Sequence, residues 1–304
     1  MKNKVVKPIS NKSKPTKAAL KPQRPAKKQS RQPGVESIMR PRPVSEHPLF
    51  TNGDRLLGRV AIITGGDSGI GRAIALAFAR EGADLAILYL NEQKDAAETA
   101  ERVREKGRRC LLIRGDISKE SHCRKAVAAT VKEFRQVDIL VNNAAEQHPR
   151  KGISQISARQ LKSTFATNVF PLFYLTSACL PYLEKSVHAS IINTTSVTAY
   201  RGSAELLDYS ASKGAIVAFT RSLATSLAPV HIRVNGVAPG PIWTPLIAAT
   251  FPAKKIAVFG ADSPMGRAGE PWECAECYVF LASEASNYMT GQVLHPNGGE
   301  IING

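Results

Sequence analysis

The hydrophobic pattern of this chain changes character at Arg59. Before it, apolar residues stand isolated among Lys, Pro, Ser and Gln. After it, short unbroken apolar runs alternate with longer stretches of helical spacing. Val60–Thr64 reads as a strand ending in glycines, and Arg72–Arg80 follows as a helix. Leu85–Leu90, Cys110–Ile113 and Val137–Val141 read as further strands, with helices at Asp95–Lys106 and Lys119–Phe134 between them. Later strands are expected at Ile191–Thr194 and Ile232–Val237, and long helices at Leu161–Leu183 and Ser210–Leu227. Strands alternating with helices of this length make βαβ units and a parallel sheet. The strands are apolar throughout, so helices must cover both faces of that sheet. One α/β, doubly wound, mostly parallel domain over residues 59–304 is expected.

The first 45 residues carry seven prolines and few apolar side chains. Proline blocks helix and ladder, and so little apolar surface does not offset the entropy of ordering. A disordered basic tail over 1–45 is expected, with 46–58 as a connecting segment. The formal net charge is +16, yet 14 of the 41 Lys/Arg and only three of the 25 acids precede residue 59. The basic excess therefore describes the tail more than the domain. It suits either a weak electrostatic tether to an anionic partner or a solvated tail without one. No aromatic residue precedes Phe50 to stack on bases, which favours the second. The tail lacks the apolar core of a secretory signal.

No apolar run approaches the ~18 residues of a membrane-spanning helix. The five cysteines are odd in number and scattered, which argues against a disulfide framework and for a reduced, cytoplasmic protein. Cys274-Ala-Glu-Cys277 has no second Cys or His pair at metal-ligand spacing and reads as helix packing.

Thr64-Gly65-Gly66-Asp67-Ser68-Gly69-Ile70-Gly71 stands where the first strand turns into the first helix. Glycines allow a tight turn and close backbone approach, and the helix N-terminus offers free N–H groups to a phosphate. The spacing is not G-x-G-x-x-G, and Arg72-Ala73 replaces the Lys-Ser/Thr of a P-loop. Its place after the first strand of a βαβ series points to a dinucleotide in a Rossmann-type fold. Farther on, Tyr209 and Lys213 lie at i and i+4, on one helix face. A neighbouring cation favours phenolate, which would suit the tyrosine to general acid/base work. Ser196 closes the apolar run Ser190–Thr195 at a strand's carboxyl end, where open α/β sheets bind ligands.

With these residues the chain resembles the short-chain dehydrogenase/reductase family from about Leu56 to Gly299. Thr64–Gly71 is similar to its T-G-x-x-x-G-x-G cofactor loop, and Asn142-Asn143-Ala144-Ala145 to its N-N-A-G motif, with Ala145 in place of glycine. The resemblance implies hydride exchange between an NAD(P) cofactor and a small alcohol or polyol, or the matching aldehyde or ketone. Tyr209 would be the acid/base, Ser196 would orient the substrate oxygen, Lys213 would hold the nicotinamide ribose, and Asn168 would fix a water beside Lys213. Cofactor contacts are implied for Gly65, Asp67, Ser68, Gly69, Ile70, Gly71, Tyr89, Asp116, Ile117, Asn143, Ala144, Ala145, Pro239, Gly240, Ile242 and Thr244, besides Tyr209 and Lys213. No metal is implied. A homotetramer is, through the two long helices and the C-terminal strands. More narrowly, Gly65–Gly69, Ala238–Thr244 and Pro264–Gly269 resemble a bacterial subgroup labelled glucose/ribitol dehydrogenase-like or aldehyde reductase-like.

Cofactor choice turns on the second strand. Tyr89, followed by Leu90 and Asn91, occupies the position where an acid would accept from the adenosine ribose and repel a 2′-phosphate. No Arg stands in the glycine loop, where Asp67 and Ser68 occur, so dual use with a lean to NADP is expected. Pro241 to about Met265 is the expected substrate loop, with Trp243, Leu246, Ile247, Phe251 and Phe259. Gln147, His148 and Tyr200 are further candidates for substrate contact. The competing reading is a non-catalytic dinucleotide-binding protein tethered by its basic tail.

Overall fold

The computed structural model describes residues 23–25, 27–47 and 51–302. The first half of the domain runs β1 (Val60–Thr64), α1 (Gly69–Arg80), β2 (Asp84–Tyr89), α2 (Gln93–Glu105), β3 (Cys110–Arg114), α3 (Glu120–Phe134) and β4 (Ile139–Asn142). The second half runs α4 (Ala158–Asn168), α5 (Phe170–Leu183), β5 (Ser190–Thr194), α6 (Thr198–Arg201), α7 (Leu207–Leu227) and β6 (Arg233–Val237). It ends with α8 (Pro245–Thr250), α9 (Ala253–Ala257), α10 (Pro271–Ala282) and β7 (Val293–Leu294). The seven strands form one sheet in the order β3-β2-β1-β4-β5-β6-β7, and every pairing is parallel.

Successive side chains of a strand point to opposite faces, and the apolar runs divide accordingly. Ile63, Ile87 and Val141 pack under α1 and α10. Ile62, Leu88 and Leu140 pack under α3, α5 and α7. The order reverses between β1 and β4, so the connections leave toward opposite faces and open a crevice at the strands' carboxyl ends. A third apolar cluster roofs part of that crevice with Tyr209, Trp243, Phe251 and Ile256.

The helix expected over Leu161–Leu183 is two helices that meet at Asn168–Val169. Pro171 has no N–H to give the Thr167 carbonyl, so the ladder is interrupted there. The Asn168 side chain instead accepts from Glu146 N–H (2.8 Å) and donates to Glu146 C=O (3.0 Å). The substrate loop contains α8 and α9, and β7 is a two-residue strand that apolar patterning does not reveal. Cys274 and Cys277 lie on α10, and all five cysteines are free. No group of His, Cys, Asp or Glu among the described residues is arranged to hold a metal.

The tail departs most from expectation. Its residues 1–22 and Ala26 lie outside the described residues. From Gln23 to His47 the described part has no helix or strand, in keeping with its prolines, but lies against the domain. Arg42 makes a two-pronged bond to Glu98 (2.7 and 2.8 Å), and Glu46 pairs with Arg102 of α2 and with Lys106 just after it. The Trp243 indole N–H donates to Pro41 C=O (3.1 Å), and Met39 joins the third apolar cluster. Glu36, 1% exposed, accepts from Arg72 Nη1 at 2.6 Å, and that arginine is fully buried. The tail's own composition does not supply an ordering force; the domain's acids and apolar roof do.

Candidate active site

The glycine loop shapes the floor of the crevice. Gly65 has φ +64°, and a Cβ on Gly71 would lie 1.9 Å from the Gly65 carbonyl oxygen. Only glycine permits so tight a crossing of the loop and the first turn of α1. The Thr64 hydroxyl accepts from the N–H groups of Asn143 (2.9 Å) and Ala144 (3.0 Å), and the Asn143 amide donates to Thr64 C=O (3.1 Å). Ala145 is not among the described non-glycine residues with positive φ, so alanine is accommodated there without backbone strain. This cradle fits a dinucleotide phosphate.

Beside it a cavity of about 240 Å³ is walled by Ser68, Tyr89, Asp116 and Ile117. The Asp116 carboxylate accepts from Ser118 N–H (2.9 Å). Asp67 also faces this cavity; burial pushes its carboxyl up to about 6, partly offset by hydrogen bonds from its own backbone and from Ser68.

A larger cavity of about 740 Å³ adjoins and shares Ile70, Asn143, Ala145, Thr244 and Leu246 with the first. Ser196, Tyr209 and Lys213 line it together, as do Pro239, Gly240 and Ile242. Ser196 follows β5, and its hydroxyl accepts from the Thr198 N–H (3.2 Å) and hydroxyl (3.1 Å). Tyr209 and Lys213 project from the first turns of α7. Asp208 fixes that helix end: its carboxylate accepts from Tyr209 N–H (2.9 Å), Gln160 Nε2 (2.9 Å) and Thr164 Oγ1 (2.9 Å). Ser212 donates to Tyr209 C=O (2.7 Å) and accepts from Asn168 Nδ2 (3.0 Å). Asn168 thus reaches the first turn of α7 through Ser212. Asp208 and Ser212 carry no motif of their own, and sequence reading passed over both.

Lys213 Nζ donates to Thr194 C=O at 2.8 Å and stands 5.5 Å from the Tyr209 ring centre. Burial drives the lysine down to about 7. Burial also pushes the Tyr209 phenol up to about 12, against a smaller pull from its hydrogen bond with Ser196. The expected lowering of the phenol by its lysine is not found: loss of solvent raises it, and the opposing pull comes from Ser196.

The other expectations divide. Gln147, Leu246, Ile247, Phe251 and Phe259 line the larger cavity. Trp243 is turned away beneath the tail, where Arg24 stands 5.4 Å from its ring. Tyr200 faces a separate cavity, ring-to-edge with His295 at 4.8 Å, because the short helix α6 carries it off the crevice. His148 sits 3.5 Å from Glu146 and lines neither cavity of the crevice. Gln32, Pro33 and Gly34 of the tail wall the smaller cavity, which nothing in their composition announces.

Residues 65–300 match a family model described as enoyl-(acyl carrier protein) reductase. The chain is 59% identical to the uncharacterized oxidoreductase YhdF of Bacillus subtilis, over 90% of this chain and 94% of that one. It is 50% identical to NADPH-dependent aldehyde reductase 1, chloroplastic, of Arabidopsis thaliana, over 91% of this chain and 98% of that one. Its fold matches the crystal structure of 3-ketoacyl-(acyl-carrier-protein) reductase from Brucella melitensis complexed with NADH. That match has a TM-score of 0.74 and 33% identity, covering 80% of this chain and 98% of the other.

A buried lysine without a carboxylate partner has a measurable consequence. The folded value of Lys213 lies near 7, below its usual 10.5, so between those limits the unfolded chain binds a proton that the folded chain does not. Stability therefore rises with pH across that window. We expect Lys213→Met to flatten this rise and to be the more stable protein at pH 7, by about 1–2 kcal/mol after the loss of the Thr194 partner. Urea denaturation of both proteins at pH 6.5 to 9 checks it; equal slopes would refute it.

Proposed function

Since this chain belongs to the short-chain dehydrogenase/reductase family, we propose that it interconverts a small alcohol or polyol with the matching aldehyde or ketone, with Tyr209 as acid/base. The convergence of Ser196, Tyr209 and Lys213 on one cavity, adjoining the cleft beside the glycine loop, carries this reading. The bound nicotinamide supplies or accepts the hydride. In reduction the Tyr209 hydroxyl gives its proton to the carbonyl oxygen as the hydride reaches carbon; in oxidation it takes the proton back. Ser196 donates to the same oxygen and holds it within reach of the phenol. Lys213, with a value near 7, exchanges a proton close to neutrality, and its charged form favours the phenolate. Asn168 and Asp208 act as positioning residues by holding the turn of α7 that carries the pair.

The larger cavity combines Leu246, Phe251 and Phe259 with Lys255, Asp262 and Arg201. Such a mixed lining suits substrates bearing both hydroxyl groups and carbon chain. The competing reading, a non-catalytic binder tethered by its tail, gains no support: Arg24, Arg31 and Arg42 are paired with acids of the domain itself. Free cysteines suit a reducing, cytoplasmic setting. Assembly as a homotetramer is supported by exposed Phe170 and Phe173 on α5 and by the open edge of β7. Light scattering at micromolar concentration should give four times the chain mass; a monomer refutes the assembly.

The cofactor reading leans to NADP. Tyr89 leaves the end of β2 without an acid, and Glu92, the nearest one, is held by both Arg31 guanidinium nitrogens at 2.6 and 2.8 Å. Asp67 lies in the glycine loop itself and shares the smaller cavity with the acids Asp116 and Glu146. We expect Asp67→Asn to raise kcat/KM for NADP(H) relative to NAD(H) by about tenfold at pH 7.5, ~1.4 kcal/mol of relieved repulsion. An unchanged ratio removes Asp67 from cofactor selection.

Tyr209→Phe keeps the ring and removes the proton. Turnover should fall about 10²–10⁴-fold while the dissociation constant for NADPH stays within a few-fold. More than a tenth of wild-type kcat on any carbonyl substrate in a screen of aldehydes, ketones, sugars and polyols would refute the assignment.

A further inference from the structure

The tail segment from Arg31 to Glu36 crosses the mouth of the smaller cavity and is tied to four separate parts of the domain. At one end Arg31 grips Glu92, just beyond β2. The Gln32 side chain donates to Gln147 C=O (2.6 Å) and accepts from Gln147 N–H (3.3 Å), on the loop after β4. Gly34 lies so close to α8 that a Cβ there would stand 2.3 Å from the Pro245 carbonyl oxygen. At the other end Glu36 accepts from Gly69 N–H (2.6 Å) and Arg72 Nη1 (2.6 Å), inside the first turn of α1. Asp95 then takes the N–H groups of Glu36 (2.6 Å) and Ser37 (3.0 Å).

These bonds join the two banks of the crevice. Glu92 and Gly69 belong to the bank of β1 and β2, whereas Gln147 and Pro245 belong to the bank that carries the substrate roof. Between the anchors, Gln32, Pro33 and Gly34 face Ser68, Tyr89 and Asp116 across the cavity. An ion pair taken almost wholly out of water, as Glu36–Arg72 is, holds only when both partners are well placed, and losing one leaves an uncompensated charge. A merely adsorbed tail would not bury a carboxylate in this way.

We propose that residues 31–36 are part of the cofactor site: a clasp that forms the outer wall of the adenosine end and must swing aside for the dinucleotide to enter or leave. The inference rests on the reading of this cleft as a dinucleotide site. It assigns to the N-terminal segment a share of cofactor affinity and control of the release rate. The ties to Glu92, Gln147, Pro245 and Gly69 set the rate of opening.

Full-length protein carrying Gln32→Ala or Gly34→Ala tests it, with NADPH followed by fluorescence and ADP-ribose by calorimetry. Neither substitution touches the Glu36–Arg72 pair, so both chains should fold, which circular dichroism verifies. Glu46→Ala serves as the control, since it loosens the tail against α2, away from the cleft. The expected result is about tenfold weaker binding of NADPH and of ADP-ribose in both clasp variants. A matching increase in the NADPH dissociation rate should appear in stopped flow, with Glu46→Ala unchanged. Affinities and release rates within twofold of wild type in folded clasp variants would overturn the clasp. Equal weakening by Glu46→Ala would overturn it as well, by tracing the effect to general loosening. Wild-type protein that binds neither NAD(H) nor NADP(H) would instead bring down the dinucleotide reading and the clasp with it.

Discussion

The Thr64 hydroxyl, set between the ends of β1 and β4, accepts two backbone N–H groups and so fixes the width of the crevice. At this switch point neighbouring strands send their connections to opposite faces, and nothing in the ladder itself holds the two carboxyl ends together beyond the last pair. The Thr64 hydroxyl makes that closure together with the Asn143 amide, which donates back to Thr64 C=O. The glycine loop hangs from one side of it and the Asn143–Ala145 turn from the other, so both cavities take their shape from the same oxygen. Close approach there is also what demands glycine at Gly71, where any side chain would strike the Gly65 carbonyl.

Around that frame the molecule keeps ionisable groups out of water on the wall of the larger cavity. Lys213 is buried with a carbonyl oxygen as its hydrogen-bond acceptor, and Tyr209 is buried beside Ser196. A core built for stability alone would hold apolar residues at both positions. The neighbouring supports are strong by comparison: Asp208 gathers three donors, and Asn168 is saturated on both ends of its amide. Rigid surroundings thus hold a desolvated pair in place.

The sheet was legible because parallel strands covered on both faces are apolar throughout; five runs are buried in this way, and the half-buried edge strand β3 still reads as an apolar run. Val293–Leu294 does not, since two residues carry no period. The join at Asn168–Val169 hides inside a continuous helical pattern, although Pro171 marks it for a reader who asks which carbonyl loses its donor. Ser196, Tyr209 and Lys213 were visible through spacing and strand-end position, yet Asp208 and Ser212, which hold them, are ordinary polar residues with no spacing rule. The tail was least legible. Its composition predicts that it cannot order itself, and Arg42, Glu36 and Pro41 order only because Glu98, Arg72 and Trp243 lie elsewhere in the chain.

Met39 lies in one apolar cluster with Trp243, Phe251 and Tyr209. A residue from the first fifty therefore packs in the same cluster that roofs the crevice and seats the Tyr209 ring. The extension and the roof then form a single packing unit: a change of shape in one alters the surface that the other must meet. A change in the extension is therefore felt in the packing of that roof, even though none of its described residues lines the larger cavity.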